Sequence, residues 1–143
     1  MASKNVQTAL AVYESFNKRD LDGAVKSIAE DLVFENHGLG QTYKSRAEFR
    51  DSLQSWITGF SDGMITEPRA IDAGDTVIIQ FVGKGKNDGP MGPFQKPTGR
   101  MLTLPFVDIL KFDAQGRIVA GETYFDMLGM LVQLGHAERP AQK

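Results

Sequence analysis

No cysteine occurs in this chain, which excludes disulfides, thiolate metal sites and a thiol nucleophile. Histidine is nearly as scarce. Two in 143 residues argue against a multi-histidine zinc or iron centre, and no metal site is expected. No apolar run reaches the roughly 18 residues that suggest a membrane-crossing helix. The polar opening MASKNVQ lacks the hydrophobic stretch of a secretion signal. Net charge is −2 with no block of one sign, so neither nucleic acid nor a membrane surface is expected as a partner. A cytoplasmic location is the default expectation. The G-x-S-x-G element is missing, and GKGKNDGPMG has the wrong spacing for a phosphate-binding glycine loop, with no helix after it.

What remains is an ordinary globular composition, and its length fits one domain over 1–143 with a core of about 5–135 and a frayed tail at 136–143. Val6, Ala9, Leu10, Tyr13 and Phe16 fall at helical spacing over residues 5–17. Asp20 or Asp22 caps a second short helix whose buried side would be Leu21, Val25, Ile28 and Ala29. Residues 31–38 alternate as a strand, with Leu32, Phe34 and Asn36 on one face and Val33, Glu35 and His37 on the other. HGLGQTY reads as a turn, and Ser45 with Glu48 forms a capping box for a helix carrying Phe49, Leu53, Trp56, Ile57 and Phe60.

Four consecutive strands follow. Met64–Asp72 is pushed toward a sheet edge by Pro68. Thr76–Gly83 is apolar on both faces and expected to be covered on both. Residues 100–112 form a long strand, and the last strand runs from the turn at Gly116 to Phe125. Between the second and third lies a stretch, 83–99, with five glycines and three prolines, expected to be a structureless lid or binding loop. Met127–Leu134 is a helix apolar nearly all round, which predicts burial on two sides. Helices segregated ahead of a meander describe an α+β fold: a cone-shaped barrel of curved antiparallel sheet packed on N-terminal helices.

Asp108 is the most informative residue. It shares a strand face with Leu102, Leu104, Phe106, Leu110 and Phe112, where a carboxylate would be desolvated and its pKa raised, as a general acid or base requires. Alternatively that face is partly solvated, or Asp108 pairs with Arg117 or Lys111. Asp126 precedes a helix and reads as its N-cap, a role compatible with facing a pocket. His37 could titrate near neutrality with Glu35 orienting its ring, or be a surface histidine. Tyr13 and Phe16 are core residues or pocket lining. Lys84, Lys86 and Lys96 could meet an anion or simply be solvated.

The stretch from Gly74 to Gly135 resembles the SnoaL-like polyketide cyclase family, of the nuclear-transport-factor-2-like superfamily of cone-shaped α+β barrels. The marks are Gly74-Asp75, Pro97-Thr98-Gly99-Arg100, Gly116-Arg117-Ile118, Asp126-Met127-Leu128-Gly129 and Gln133-Leu134-Gly135. The N-terminal helix and the ENHG strand also fit, so the resemblance spans about residues 5–135. It implies an intramolecular aldol cyclase or isomerase that uses no cofactor. One aspartate on the last strand would be the acid/base, at either Thr123 or Asp126 in this chain. Asn87 stands where many relatives have the histidine of G-T-H-x-G, and Ala120-Gly121-Glu122-Thr123 stands where they often carry E-H-W-D.

The expected catalytic residues are therefore Asp108, Asp126 and His37. The expected binding residues are Phe16, Asn36, Tyr43, Trp56, Phe81, Asn87, Phe106 and Thr123, around a small hydrophobic molecule. Asn87, His37 or Tyr43 would stabilise an enolate. A non-catalytic binding barrel is the alternative, and an epoxide hydrolase a more distant one, needing arginine beside carboxylates. A homodimer is expected through the outer sheet face or the last helix.

Overall fold

A computed structural model of the chain describes residues 3–141, so the first two positions and the last two of the expected tail lie outside the description. Helices α1 (Lys4–Asn17), α2 (Leu21–Val25) and α3 (Arg46–Gly59) pack on one side of a single curved sheet, with α4 (Met127–Leu134) near its end. The strands are β1 (Ile28–Asn36), β2 (Gln41–Tyr43), β3 (Met64–Ala73), β4 (Thr76–Lys86), β5 (Met101–Phe112) and β6 (Ile118–Phe125). Their order is β2-β1-β6-β5-β4-β3, an open sheet that is not closed into a barrel. The α+β expectation holds, and so does the antiparallel meander from β3 to β6. The sheet as a whole is mixed, because β1 lies parallel to β6.

Local chemistry explains most boundaries. Ser45 accepts the Glu48 amide at 3.1 Å, while the Glu48 carboxylate reaches back to the Lys44 amide at 3.1 Å, fixing the start of α3. Asp126 caps α4 by accepting the Gly129 amide at 2.8 Å. Gly74 and Gly116 turn the hairpins at φ +81° and +78°, a region glycine enters without steric cost. At the edge, β3 breaks register between Thr66 and Arg69 around Pro68, as a strand unable to donate there must.

Several expectations shift. Ile28 and Ala29 begin β1 and do not extend α2, and Gln41–Tyr43 is a strand where a turn was expected, paired with Phe34–Asn36. Val77, Ile79 and Phe81 are buried, whereas Gln80 on the outer face is exposed, so β4 is fully covered on one side. α4 is not buried on two sides: Met130 and Leu134 are buried and Leu128 is 42% exposed. Its Gln133 side chain accepts from the Thr103 amide at 2.8 Å and donates to the Thr103 carbonyl at 2.9 Å. That amide stands in for a strand where β5 runs beyond the end of β6, satisfying backbone groups that an uncovered edge would leave open.

The glycine-rich segment is not structureless throughout. Its first residues complete β4, and the rest folds around Asn87, which is 1% exposed. The Asn87 amide donates to the carbonyls of Gly59 and Gly89 at 3.1 and 3.0 Å, and its oxygen accepts from the Thr98 amide at 3.0 Å. The loop is thereby fastened to the end of α3.

Candidate active site

The alternation of β5 puts Leu102, Leu104, Phe106, Asp108, Leu110 and Phe112 on the concave face, all buried. Strand register then assembles a polar rung that no single segment carries. Asn36 of β1 pairs with Thr123 of β6, and Thr123 pairs with Asp108 of β5. Spaced by about 4.8 Å per strand, the three side chains span about 10 Å of the floor. They are 3%, 8% and 8% exposed, and with Asn87 they are the buried polar side chains among the described residues.

The adjacent rung is aromatic. Phe81 of β4 pairs with Phe106, and Phe106 with Phe125. The first two rings stack at 5.0 Å and 6°, while the second and third lie 4.8 Å apart. Trp56 of α3 stands edge-on above this rung, 5.9 Å from both Phe106 and Phe125. Together with Phe16, Phe60, Tyr13 and Tyr43 these groups enclose a cavity of about 130 Å³. That is close to the ~150 Å³ known to admit one benzene ring.

Asp108 carries the site's electrostatics. The Tyr13 hydroxyl, brought by α1, donates to Oδ2 at 2.7 Å. Oδ1 is, among the described residues, a buried side-chain atom with no hydrogen-bond partner. Burial pushes the Asp108 pKa up to about 6, and the Thr123 and Tyr13 hydroxyls oppose part of that rise. Burial likewise drives the Tyr13 pKa well above its ordinary value, and the adjacent Asp108 adds to it. Tyr13 therefore stays protonated as a donor. Asn36 uses its oxygen to accept the Leu39 amide at 2.8 Å. Its NH₂ is left for the neighbourhood of Tyr43, whose hydroxyl donates to Gln41 Oε1 at 2.9 Å and whose pKa burial raises. Neither Arg117 nor Lys111 pairs with Asp108; Arg117 pairs with Asp113 at 2.9 Å.

Of the residues expected at a site, Phe16, Asn36, Tyr43, Trp56, Phe81, Phe106, Asp108 and Thr123 line this one cavity. Asp126, His37 and Asn87 do not. Asp126 caps α4 with its side chain 58% exposed and Arg139 at 3.8 Å. His37 faces the other side of the sheet, its Nε2 at 3.0 Å from Glu122 and 3.3 Å from Glu35, with its ring stacked on Tyr124 at 4.4 Å. The ligand atoms of Glu35, His37 and Glu122 lie within 4.8 Å of one another, the one grouping among the described residues with metal-ligand chemistry. The hydrogen bond between the His37 ring and Glu122, with Glu35 alongside, brings these atoms together. Of the two positions expected for the family aspartate, Thr123 is the one facing the cavity, and the carboxylate there comes from its register partner, Asp108. Among the described residues no arginine lines the cavity, which leaves the epoxide-hydrolase arrangement without its arginine.

The sequence reading left Tyr13 as core or pocket lining and missed its bond to Asp108. Its helical spacing marks it as core, and nothing within α1 signals a carboxylate 95 residues away.

Helices wrapped on a curved sheet around an aromatic cavity with a buried carboxylate form an α+β architecture of the NTF2-like type. The SnoaL-like polyketide cyclase model matches residues 6–134, and the chain belongs to that family. IdmH of Streptomyces antibioticus, a candidate polyketide cyclase, superposes with a TM-score of 0.78 at 28% identity, over 93% of this chain and 99% of that one. An NTF2-like protein of unknown function from Burkholderia pseudomallei gives 0.77 at 26% identity, over 93% and 98%. A candidate SnoaL-like cyclase from Jannaschia sp. CCS1 shares the fold at TM-score 0.84 and 18% identity, over 96% and 99%. No curated protein matches the chain significantly.

Proposed function

We propose that this chain performs cofactor-independent acid–base chemistry on a small hydrophobic carbonyl compound, of the intramolecular aldol or isomerase type, with Asp108 as the base. The observation that carries this reading is the unpartnered Oδ1 of a buried carboxylate in an aromatic cavity beside polar donors. Asp108 removes the proton next to a carbonyl, and the C–H electron pair moves into the carbonyl oxygen to give an enolate. The Asn36 NH₂ on the polar rung, its oxygen held by the Leu39 amide, stabilises the developing oxyanion. The enolate carbon then attacks a second carbonyl of the same molecule, and the proton held by Asp108 passes to the new alkoxide. Trp56 and the phenylalanine rung hold the body of the substrate and exclude water. General-base action of this kind contributes about 10²–10⁴-fold to rate.

The test is hydrogen–deuterium exchange of the α-protons of a cyclic ketone in D₂O, followed by NMR. Asp108→Asn should abolish the enhancement and Asp126→Asn should leave it intact. Exchange that survives in Asp108→Asn would sink the assignment. A second reading, a binding protein without chemistry, draws support from Thr123, which offers no carboxyl where the resemblance allows an acid. It predicts ketone binding with no enhanced exchange in the wild type.

A further inference from the structure

We infer that the cavity is also a site for a small organic ammonium ion, a protonated amine with an apolar body, bound between the Asp108 carboxylate and the surrounding aromatic rings. This rests on the cavity and not on the proton-transfer reading.

Three features combine. The first is an acid without a counter-charge. The titratable groups lining the cavity with Asp108 are Tyr13 from α1, Tyr43 from β2 and exposed Lys84 from β4, while β1, β3, β6 and α3 contribute none. Lys84 belongs to the outward-facing set of β4 with Gln80 and Val82, since Val77, Ile79 and Phe81 are the buried set. An ionised Asp108 therefore has the Tyr13 hydroxyl on Oδ2, the Thr123 hydroxyl close by and no cation facing it. A buried anion is stabilised by a cation that also donates a hydrogen bond, and an ammonium N–H does both.

The second feature is the aromatic wall. Tyr13 lies 5.3 Å from Phe81, and Phe81, Phe106 and Phe125 form the next rung along from Asp108, under Trp56. Ring faces within about 6 Å attract a cation, most strongly when it is desolvated. The third is size: about 130 Å³ suits a compact ring or trialkyl amine.

The two ligand classes divide by charge. A neutral ketone binds through the donors of the polar rung and gains nothing from the charge on Asp108. An ammonium needs Asp108 ionised. Asp108 ionises at about pH 6, so pH governs binding of the ammonium.

The probes are cyclohexylammonium, protonated throughout pH 5–8, and cyclohexanone, its neutral counterpart of similar volume. Binding is read from the fluorescence of Trp56, the chain's single tryptophan, which lines the cavity. Cyclohexylammonium should bind about tenfold more tightly at pH 7.5 than at pH 5, the loss expected one unit below a pKa of about 6. Cyclohexanone should show no such gain. In Asp108→Asn the ammonium should lose at least tenfold at pH 7.5 while cyclohexanone still binds, which also shows the variant cavity intact. Ammonium affinity that is flat with pH, no better than the ketone's at pH 7.5, or unchanged in the variant would overturn the inference. Failure of ketone α-proton exchange alone would refute only the proposed reaction.

Discussion

Replacing Asp108 by asparagine is expected to remove a pH dependence of stability that the wild-type site imposes on the whole domain. Burial raises the Asp108 pKa from 3.8 to about 6, so between those values the folded protein holds a proton that the unfolded chain releases. Stability from this group is fully present below about pH 4 and is lost as pH rises through 6. The shift of roughly two units corresponds to about 3 kcal/mol. Asparagine keeps the shape and can still accept the Tyr13 hydroxyl, but it does not ionise. The variant should therefore gain about 2.5 kcal/mol on the wild type between pH 4 and pH 8, whatever its offset at pH 4. Urea unfolding at both pH values, with the m-value checked for constancy, measures that difference. Parallel stability-against-pH curves for the two proteins would refute the claim that Asp108 is desolvated. The same logic casts Asp108 as a group whose ionised form weakens the fold at neutral pH, a cost consistent with a ligand-directed role.

Tyr13→Phe strips Oδ2 of its donor. The Asp108 carboxyl should titrate above about 6 by NMR, and at pH 8 the protein should lose about 1–3 kcal/mol, with less lost at pH 4. Asn87→Ala leaves the Gly59 and Gly89 carbonyls and the Thr98 amide without its bonds. It should cost about 2–3 kcal/mol in urea unfolding and leave ketone affinity unchanged; a drop in affinity at unchanged stability would return Asn87 to the site. Asp126→Ala removes the α4 cap and should cost about 1 kcal/mol, with no movement of the Asp108 titration. If that titration shifts, Asp126 is electrostatically part of the cavity after all.

Much of this molecule is readable from local pattern. Alternation along 100–112 is enough to place Asp108 among apolar neighbours, because side-chain direction in a strand repeats every two residues. The Ser45–Glu48 box and the Asp126 cap are equally legible, since their partners lie three or four residues away. Asn36, with Leu32 and Phe34, is assigned the correct face by the same alternation. The family marks extend this to the α+β class.

Pattern ran out wherever partners are distant in the chain. His37 and Glu122 meet because β1 runs parallel to β6, and their meeting lies on the outer face, away from the cavity. Asn87, surrounded by glycine and proline, looks free for a ligand until the loop is seen closing on α3. Tyr13 has the spacing of any core residue, and the helix–sheet packing alone sets its hydroxyl on Asp108. What the sequence by itself determined is which residues face inward and where helices and strands begin. What the tertiary structure decided is which inward-facing polar groups share one cavity. Facing is set by backbone geometry within a few residues, whereas the polar rung of Asn36, Thr123 and Asp108 exists only through the pairing of three strands far apart in the chain.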